Sequence, residues 1–207
     1  MPRPPLTILF AENSDGWPAG LDTRADTAVF GSLRLGVIPS VTTTVLPKVL
    51  VRIRKLYPQL RIRIEDGLSQ ELGFKVSQGR LDAAIVTDPS IKDPTLTWRV
   101  IWWETLKLIV HRDLRNRPFD EILARQPFIR FNAAMGVGRI IDGVLKSRSY
   151  VVDDAMELDS IEAICWMVAL KLGVAIIPEN LVLAKLRSKV STIALPAPRT
   201  GRGVALV

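Results

Sequence analysis

One cysteine, one histidine and no long apolar run narrow the possibilities for this 207-residue chain before any motif is read. Cys165 alone cannot build an internal disulfide framework, and in its apolar stretch it reads as a small buried hydrophobe suited to a reducing compartment. The lone imidazole, His111, follows strand residues Leu108 to Val110 and reads as part of a solvated turn. Without further His or Cys there is no structural zinc set, and a Ser-His-Asp arrangement would hang on this one ring. The adjacent carboxylates Glu65-Asp66 and Asp153-Asp154 do not make acid/base dyads, because neighbours in a strand point to opposite faces. They are expected to be surface charge. The expectation is therefore no metal, no cofactor and no enzyme. The richest apolar stretch, Ile161 to Ile177, is interrupted by Glu162 and Lys171 and falls short of the roughly 20 residues of a membrane span. Leu6 to Ala11, behind a proline-led start, is too short for a signal peptide. Cytoplasmic location and no membrane association are expected.

What is present is a globular composition: 48% hydrophobic and 24% charged residues, enough for a sizeable core in one domain or two small lobes. The net charge of +7 invites a nucleic-acid reading. Its distribution argues otherwise. Arg52, Arg54 and Lys55 share an amphipathic helix with Val49, Leu50, Ile53 and Leu56, so they form a solvated face, with Arg61 and Arg63 close behind. Arg199 and Arg202 lack the interleaved aromatics of a single-strand platform.

Residues 1–30 hold Pro2, Pro4, Pro5, Pro18, Gly16 and Gly20 and read as an irregular leader with no recognisable helix-turn-helix. From Leu33 the pattern is regular. Leu33–Val37 is a strand, Ile38-Pro39-Ser40 a corner, and Val41–Leu56 a helix that Pro47 kinks or divides. Arg61–Glu65 is a strand, Ser69–Ser77 a helix and Ala83–Thr87 a strand, giving βαβαβ and a parallel sheet with right-handed crossovers. A β-rich run, Thr97–Val110, follows. After Pro118 come a short helix, strand Phe128–Phe131, a glycine loop and helix Gly136–Leu145, strand Tyr150–Glu157, helix Ser160–Leu170 and strand Val174–Ile177. Gly203–Val207 is a final strand. Gly136-Val137-Gly138-Arg139 is too short for a dinucleotide fingerprint and lacks the Walker lysine, leaving a flexible helix entry.

The ordered phrases Ser40 with Leu46-Pro47, Tyr57-Pro58, Gly67, Gly79-x-Leu81-Asp82 and Val168-Ala169…Gly173…Pro178 resemble the effector-binding domain of LysR-type transcriptional regulators over roughly residues 31–207. The resemblance implies an α/β fold of two similar Rossmann-like lobes joined by crossing strands, like type 2 periplasmic binding proteins. Lobe I would take about 31–88 and 190–207, and lobe II about 89–189. It implies a small-molecule effector in the cleft between lobes, a homo-oligomer (dimer or tetramer) paired through helix Val41–Leu56, and DNA contact only through a helix-turn-helix not evident in this chain. Where the family has small residues, Leu170 and Lys171 suggest that the last long helix runs to Leu172 and stops at Gly173.

Ligands of open α/β sheets bind beyond the carboxyl ends of strands, where helix N-termini favour anions. Ser40 is placed as N-cap of the first helix, with Val41, Thr42 and Thr43 adding free amides and hydroxyls. Capping alone or capping plus ligand contact are both open for Ser40. Thr87 ends the third strand and is a better contact than Asp88, whose charge would repel an anion. Phe131 and Asn132 face the cleft or, alternatively, are core and turn. Asp159-Ser160-Ile161-Glu162 is a capping box, and Ser160 also matches a polar cleft position of the family. The leading expectation is a non-catalytic sensor of an anionic metabolite that shifts a conformational population. The alternatives are a transporter's solute-binding protein, a truncated regulator remnant without function, or an enzyme on the same fold, against which the missing acid/base group counts. With no reading element, binding of this chain to duplex DNA should be weak, salt-sensitive and sequence-independent, as fluorescence anisotropy at two salt concentrations will report; nanomolar affinity for one defined sequence would contradict this.

Overall fold

The structure, a computed structural model, describes residues 30–89, 91–198 and 200–207. The leader through residue 29, and Arg199, lie outside the described residues. The chain forms two compact units: one runs to Trp102 and takes up Gly203–Val207 again, the other is Trp103–Arg202. Both crossings fall later in the chain than the boundaries expected near residues 88 and 190. Leu96, Trp98, Ile101 and Trp102 pack on the first unit's core, and the strand at Val190–Ala194 pairs inside the second unit.

In the first unit, β1 (Gly31–Val37) pairs parallel with β2 (Leu60–Asp66), from Gly31 opposite Leu60 to Val37 opposite Asp66. It also pairs parallel with β3 (Ala83–Thr87), whose five residues are all buried, as an unbroken apolar strand covered on both faces should be. The strand at Gly201–Leu206, β9, lies antiparallel on β3 with Thr87 opposite Val204 and Ile85 opposite Leu206. Strands Leu33–Val37, Arg61–Glu65 and Ala83–Thr87 are thus where expected, to within two residues at the ends.

The single helix expected over Val41–Leu56 is two: α1 (Pro39–Thr42) and α2 (Leu46–Leu56). Pro47 sits in the first turn of α2, where its missing N–H costs nothing and its fixed φ suits a helix start. Leu46, Val49 and Ile53 enter the core at helical spacing, while Lys48, Arg54 and Lys55 are exposed. α3 (Ser69–Ser77) lies as expected and plants Leu72 fully buried beneath the sheet. Gly79 follows its C-cap with φ +67°, the left-handed conformation that ends helices. Arg34 then gathers the phrase: its guanidinium donates to Gly79 O at 2.8 Å and Asp82 Oδ1 at 3.0 Å, and its N–H to Asp82 Oδ2 at 2.8 Å. The Asp82 hydrogen bond holds the Arg34 guanidinium above its ordinary pKa.

The second unit is built on β4 (Arg99–His111), which continues from the first unit and pairs antiparallel with β7 (Ala175–Pro178) and β8 (Val190–Ala194). His111 is the last residue of that strand, not part of a solvated turn. Its Nδ1 accepts from the Asp113 N–H at 3.3 Å, and Lys171, 2.7 Å from Asp113, keeps that carboxyl below its usual range. α4 (Phe119–Arg125) leads to β5 (Pro127–Phe131), parallel to β6 (Asp153–Leu158), with α5 (Gly136–Ser147) between them and α6 (Ile161–Ala169) after. Cys165 is free and fully buried on α6, and burial pushes its thiol pKa up.

Three expectations need correction here. Strand β6 starts at Asp153 rather than Tyr150, because residues 148–150 first close α5 with N–H bonds to Val144, Lys146 and Leu145 carbonyls. α6 ends at Ala169, not Leu172: Lys171 itself takes the positive φ of +64°. Gly173 serves close packing, since a Cβ there would lie 2.4 Å from Pro127 O. At Gly79 nothing crowds a Cβ, so Gly79→Ala isolates the backbone cost; urea unfolding should show a loss of about 1–2 kcal/mol. An unchanged midpoint would contradict the turn's role.

Candidate functional site

In the first unit the carboxyl ends of β1, β2 and β3 bring Val37, Asp66 and Thr87 to one edge of the sheet. The turn into α1 begins at Ile38, which donates to Ile85 O at 3.1 Å and is the N-cap; Pro39 is N1. Ser40 is therefore inside the helix rather than capping it, because Pro39 already has helical φ. The amides expected to be free are partly used: Val41 N and Thr42 N both donate to Ile38 O, at 2.9 and 3.2 Å. The Val41 side chain is core, 1% exposed.

The threonine hydroxyls bond back along the chain. Thr43 Oγ1 lies 3.5 Å from Pro39 O, and Thr44 Oγ1 donates to Ser40 O at 2.6 Å. Thr42 Oγ1 lies 3.4 Å from Ile38 O and also reaches Asp66 Oδ1 at 2.5 Å, the shorter of its two contacts. Hydroxyls whose protons are committed still have lone pairs, so this edge offers acceptors where donors were expected. Thr87 is buried, and its N–H donates to Ser69 Oγ at 3.2 Å, on the first residue of α3. Asp66 and Ser69 were not singled out in the sequence. Their signal was positional: the last residue of a strand and the first of the next helix, separated only by Gly67 and Leu68. Asp66 is thus tied to Thr42, and its neighbour Glu65 pairs with Lys75. Asp88 Oδ1 lies 3.0 Å from Lys92 Nζ but outside hydrogen-bond geometry, which leaves that oxygen buried without a hydrogen-bond partner among the described residues.

The second unit gathers the other named positions at the ends of β5 and β6. Asn132 Oδ1 accepts from Ala134 N at 2.7 Å and its Nδ2 donates to Asp159 Oδ1 at 2.6 Å, an Asx-turn braced from the next strand. Ser160 is the N-cap of α6, accepting from Ala163 N at 3.2 Å. The Asp159–Glu162 capping box does not form: Asp159 serves Asn132, and Glu162 pairs with Lys185 at 3.3 Å. Phe131 is core, 5% exposed. Gly138 is no flexible entry; a Cβ there would sit 2.0 Å from Asn132 O, so α5 packs directly on the Asn132 turn. Behind it Arg130 donates to both Asp154 oxygens, at 2.9 and 2.7 Å, and to Asp142, and the Asp154 bonds keep its pKa above the ordinary arginine value. Asp154 is therefore a structural partner and not free surface charge.

One further arrangement was not legible in advance. Arg202, which the sequence marks only as lacking interleaved aromatics, is 1% exposed and donates through Nε to Glu104, itself 4% exposed; Asn180 Nδ2 donates to the other Glu104 oxygen at 2.7 Å. Among the described residues no group of His, Cys, Asp or Glu is arranged to hold a metal ion, and no helix is long and apolar enough to cross a membrane.

A family model described as the LysR substrate binding domain matches residues 27–207. The chain belongs to that family, and its α/β architecture is the type 2 periplasmic-binding-protein-like fold of LysR effector-binding domains. Among curated proteins it is similar to the HTH-type transcriptional regulator CzcR of Bacillus subtilis (strain 168), 29% identical over 154 residues, covering 74% of this chain and 51% of that protein. CzcR of Bacillus cereus (strain ZK / E33L) is 31% identical over 153 residues, covering 73% and 51%. The chain thus spans about half the length of the curated relatives it matches. Among solved structures, the cofactor-binding domain of the Cbl transcriptional regulator superposes with a TM-score of 0.75 at 22% identity, over 91% of this chain and 84% of that one. The Synechocystis PCC6803 CcmR regulatory domain in complex with 2-PG gives 0.74 at 20% identity, over 84% and 86%. At these identities the structures show the fold.

Because Ser160 supplies one cap bond and little else, Ser160→Ala should cost about 1 kcal/mol in urea unfolding, within the usual range for a lost N-cap. A loss several times larger would mean that the hydroxyl holds more than α6.

Proposed function

We propose that this domain is the effector-sensing part of a LysR-type transcriptional regulator, binding a small anionic metabolite without transforming it. The observation that carries the reading is the family match over residues 27–207, on a chain whose strand ends present Ser40, Thr42, Thr43, Asp66, Ser69 and Thr87 together with the start of α3. The N-terminus of that nine-residue helix has no side-chain cap, so its first amides and dipole suit an anion, while the threonine oxygens and Asp66 would accept from hydroxyl or N–H groups on the same ligand. The CcmR domain solved with 2-PG lends the reading a precedent in the same fold. In the second unit, Asn132 and Ser160 are the polar positions offered to a ligand, with Phe131 in the core behind them, while Val41 stands in the first unit's core behind Ser40 and Thr42.

By the same likeness, DNA contact belongs to a helix-turn-helix of the kind named in the relatives, the working protein is a homo-oligomer in the cytoplasm, and α2 contributes to pairing. Val51 on that helix is 58% exposed beside half-buried Leu50 and Leu56, which is apolar surface a second copy can cover.

The test is a thermal-shift screen of small carboxylates and phosphate esters, with neutral and amine analogues at matched ionic strength. At 100 times its Kd a ligand stabilises by about 2.7 kcal/mol, which is a rise in Tm of roughly 5–10 °C for a domain of this size. At least one anion should do this, and Thr42→Ala or Ser40→Ala should weaken its binding about tenfold. Stabilisation by amines alone, or by nothing across the panel, would contradict the proposal.

A further inference from the structure

β9 carries the sequence Gly201-Arg202-Gly203-Val204-Ala205-Leu206, and strands rich in glycine and other small residues specify their register weakly. This strand can least tolerate that weakness, because it changes unit between Arg202 and Gly203. Two glycines do part of the work. A Cβ at Gly201 would lie 2.2 Å from Glu104 O, and one at Gly203 would lie 3.0 Å from the Asp88 Cβ.

Sliding β9 by one residue either way would put Thr200 or Arg202 into the space of Gly201. Sliding it back by two would put Arg199 there. All three carry a Cβ that has no room. Sliding it forward by two is different: Gly203 falls into the Gly201 space, and Ala205 falls into the Gly203 space, where its Cβ would lie 3.0 Å from the Asp88 Cβ, a tight contact relieved by a backbone shift of a few tenths of an ångström rather than the backbone overlap that bars the other registers. Side-chain parity is kept, so apolar patterning does not resist the move. One residue does. In that slipped register Val204 replaces Arg202 beside Glu104, and a buried carboxylate loses its guanidinium.

We propose that the buried Glu104–Arg202 pair is a register lock for β9, fixing which residues of the strand enter the first unit. A buried ion pair is a poor stabiliser compared with apolar side chains of similar volume, so its value here is discrimination between two glycine-compatible registers. In the native register Thr87 faces Val204; in the slipped one it faces Leu206.

The experiment is NMR on the whole chain, reading cross-strand contacts of Thr87 and relaxation dispersion at β9 amides. The parent should show the Val204–Thr87 contact alone. Glu104→Leu combined with Arg202→Met should keep the parental Tm or raise it, yet show a second, exchanging state with Leu206 opposite Thr87, populated on the order of a few per cent. If that variant does not fold, Glu104→Gln, which removes the charge and keeps an acceptor for Arg202, is read in the same way. A single parental contact set without exchange in the folded variant overturns the lock, and so does a lowered Tm with that same single set, which would make the pair a stabiliser only.

Discussion

A carboxylate and a guanidinium buried together, Glu104 and Arg202, are the constraint on which the arrangement of this chain turns. Neither could be taken from water alone: breaking such a pair from one side typically costs 3–5 kcal/mol, a large share of a domain's total stability. They stand just beyond the point where β4 leaves the first unit and just before the point where β9 returns to it. The two passages of the chain are therefore fastened inside the second unit within two residues of each crossing. Arg148 secures the approach to β9, donating to the carbonyls of Pro196 and Pro198 at 2.5 Å each and to Thr200 Oγ1 at 2.8 Å. Main-chain pairing with β3 takes over on the far side.

Within each unit the polar edge follows from the same economy of hydrogen bonds. The sheet brings Thr42, Asp66, Ser69 and Thr87 to the ends of three parallel strands, where they satisfy one another and the turn amides. Asn132, Asp159 and Ser160 do likewise at the ends of β5 and β6. Such networks hold their members still, which is the first requirement of a site that must recognise a small molecule. Under the proposed reading, the start of α3 would take an anionic group, and Thr42 and Asp66 would accept from hydroxyl or N–H groups of the same ligand.

Much of this was legible in the sequence, for physical reasons that can be named. Ala83–Thr87 and Ser69–Ser77 were read to the residue because an unbroken apolar run and a 3.6-residue period are local signals. The amphipathic face of α2 was equally plain. Ser40 is not the N-cap because Pro39, with its preset φ, starts the helix two residues earlier than Val41. Of the two readings open for Phe131 and Asn132, core and turn is what the structure shows, whereas Gly138 and Asp159 were hidden because their roles depend on what lies across the fold: a carbonyl 2.0 Å from a missing Cβ, and an amide from Asn132. Arg202 was hidden most completely. Nothing local marks an arginine between two glycines as buried, since its partner is 98 residues away.

The central claim, that the strand ends of the first unit hold the effector, is tested most directly by mapping amide chemical shifts while a stabilising carboxylate or phosphate ester is titrated into the labelled domain. The account predicts the largest saturable shifts at Ser40, Thr42, Asp66, Ser69 and Thr87, with smaller ones at Asn132 and Ser160. Saturable shifts centred elsewhere, with these residues unmoved, would contradict it.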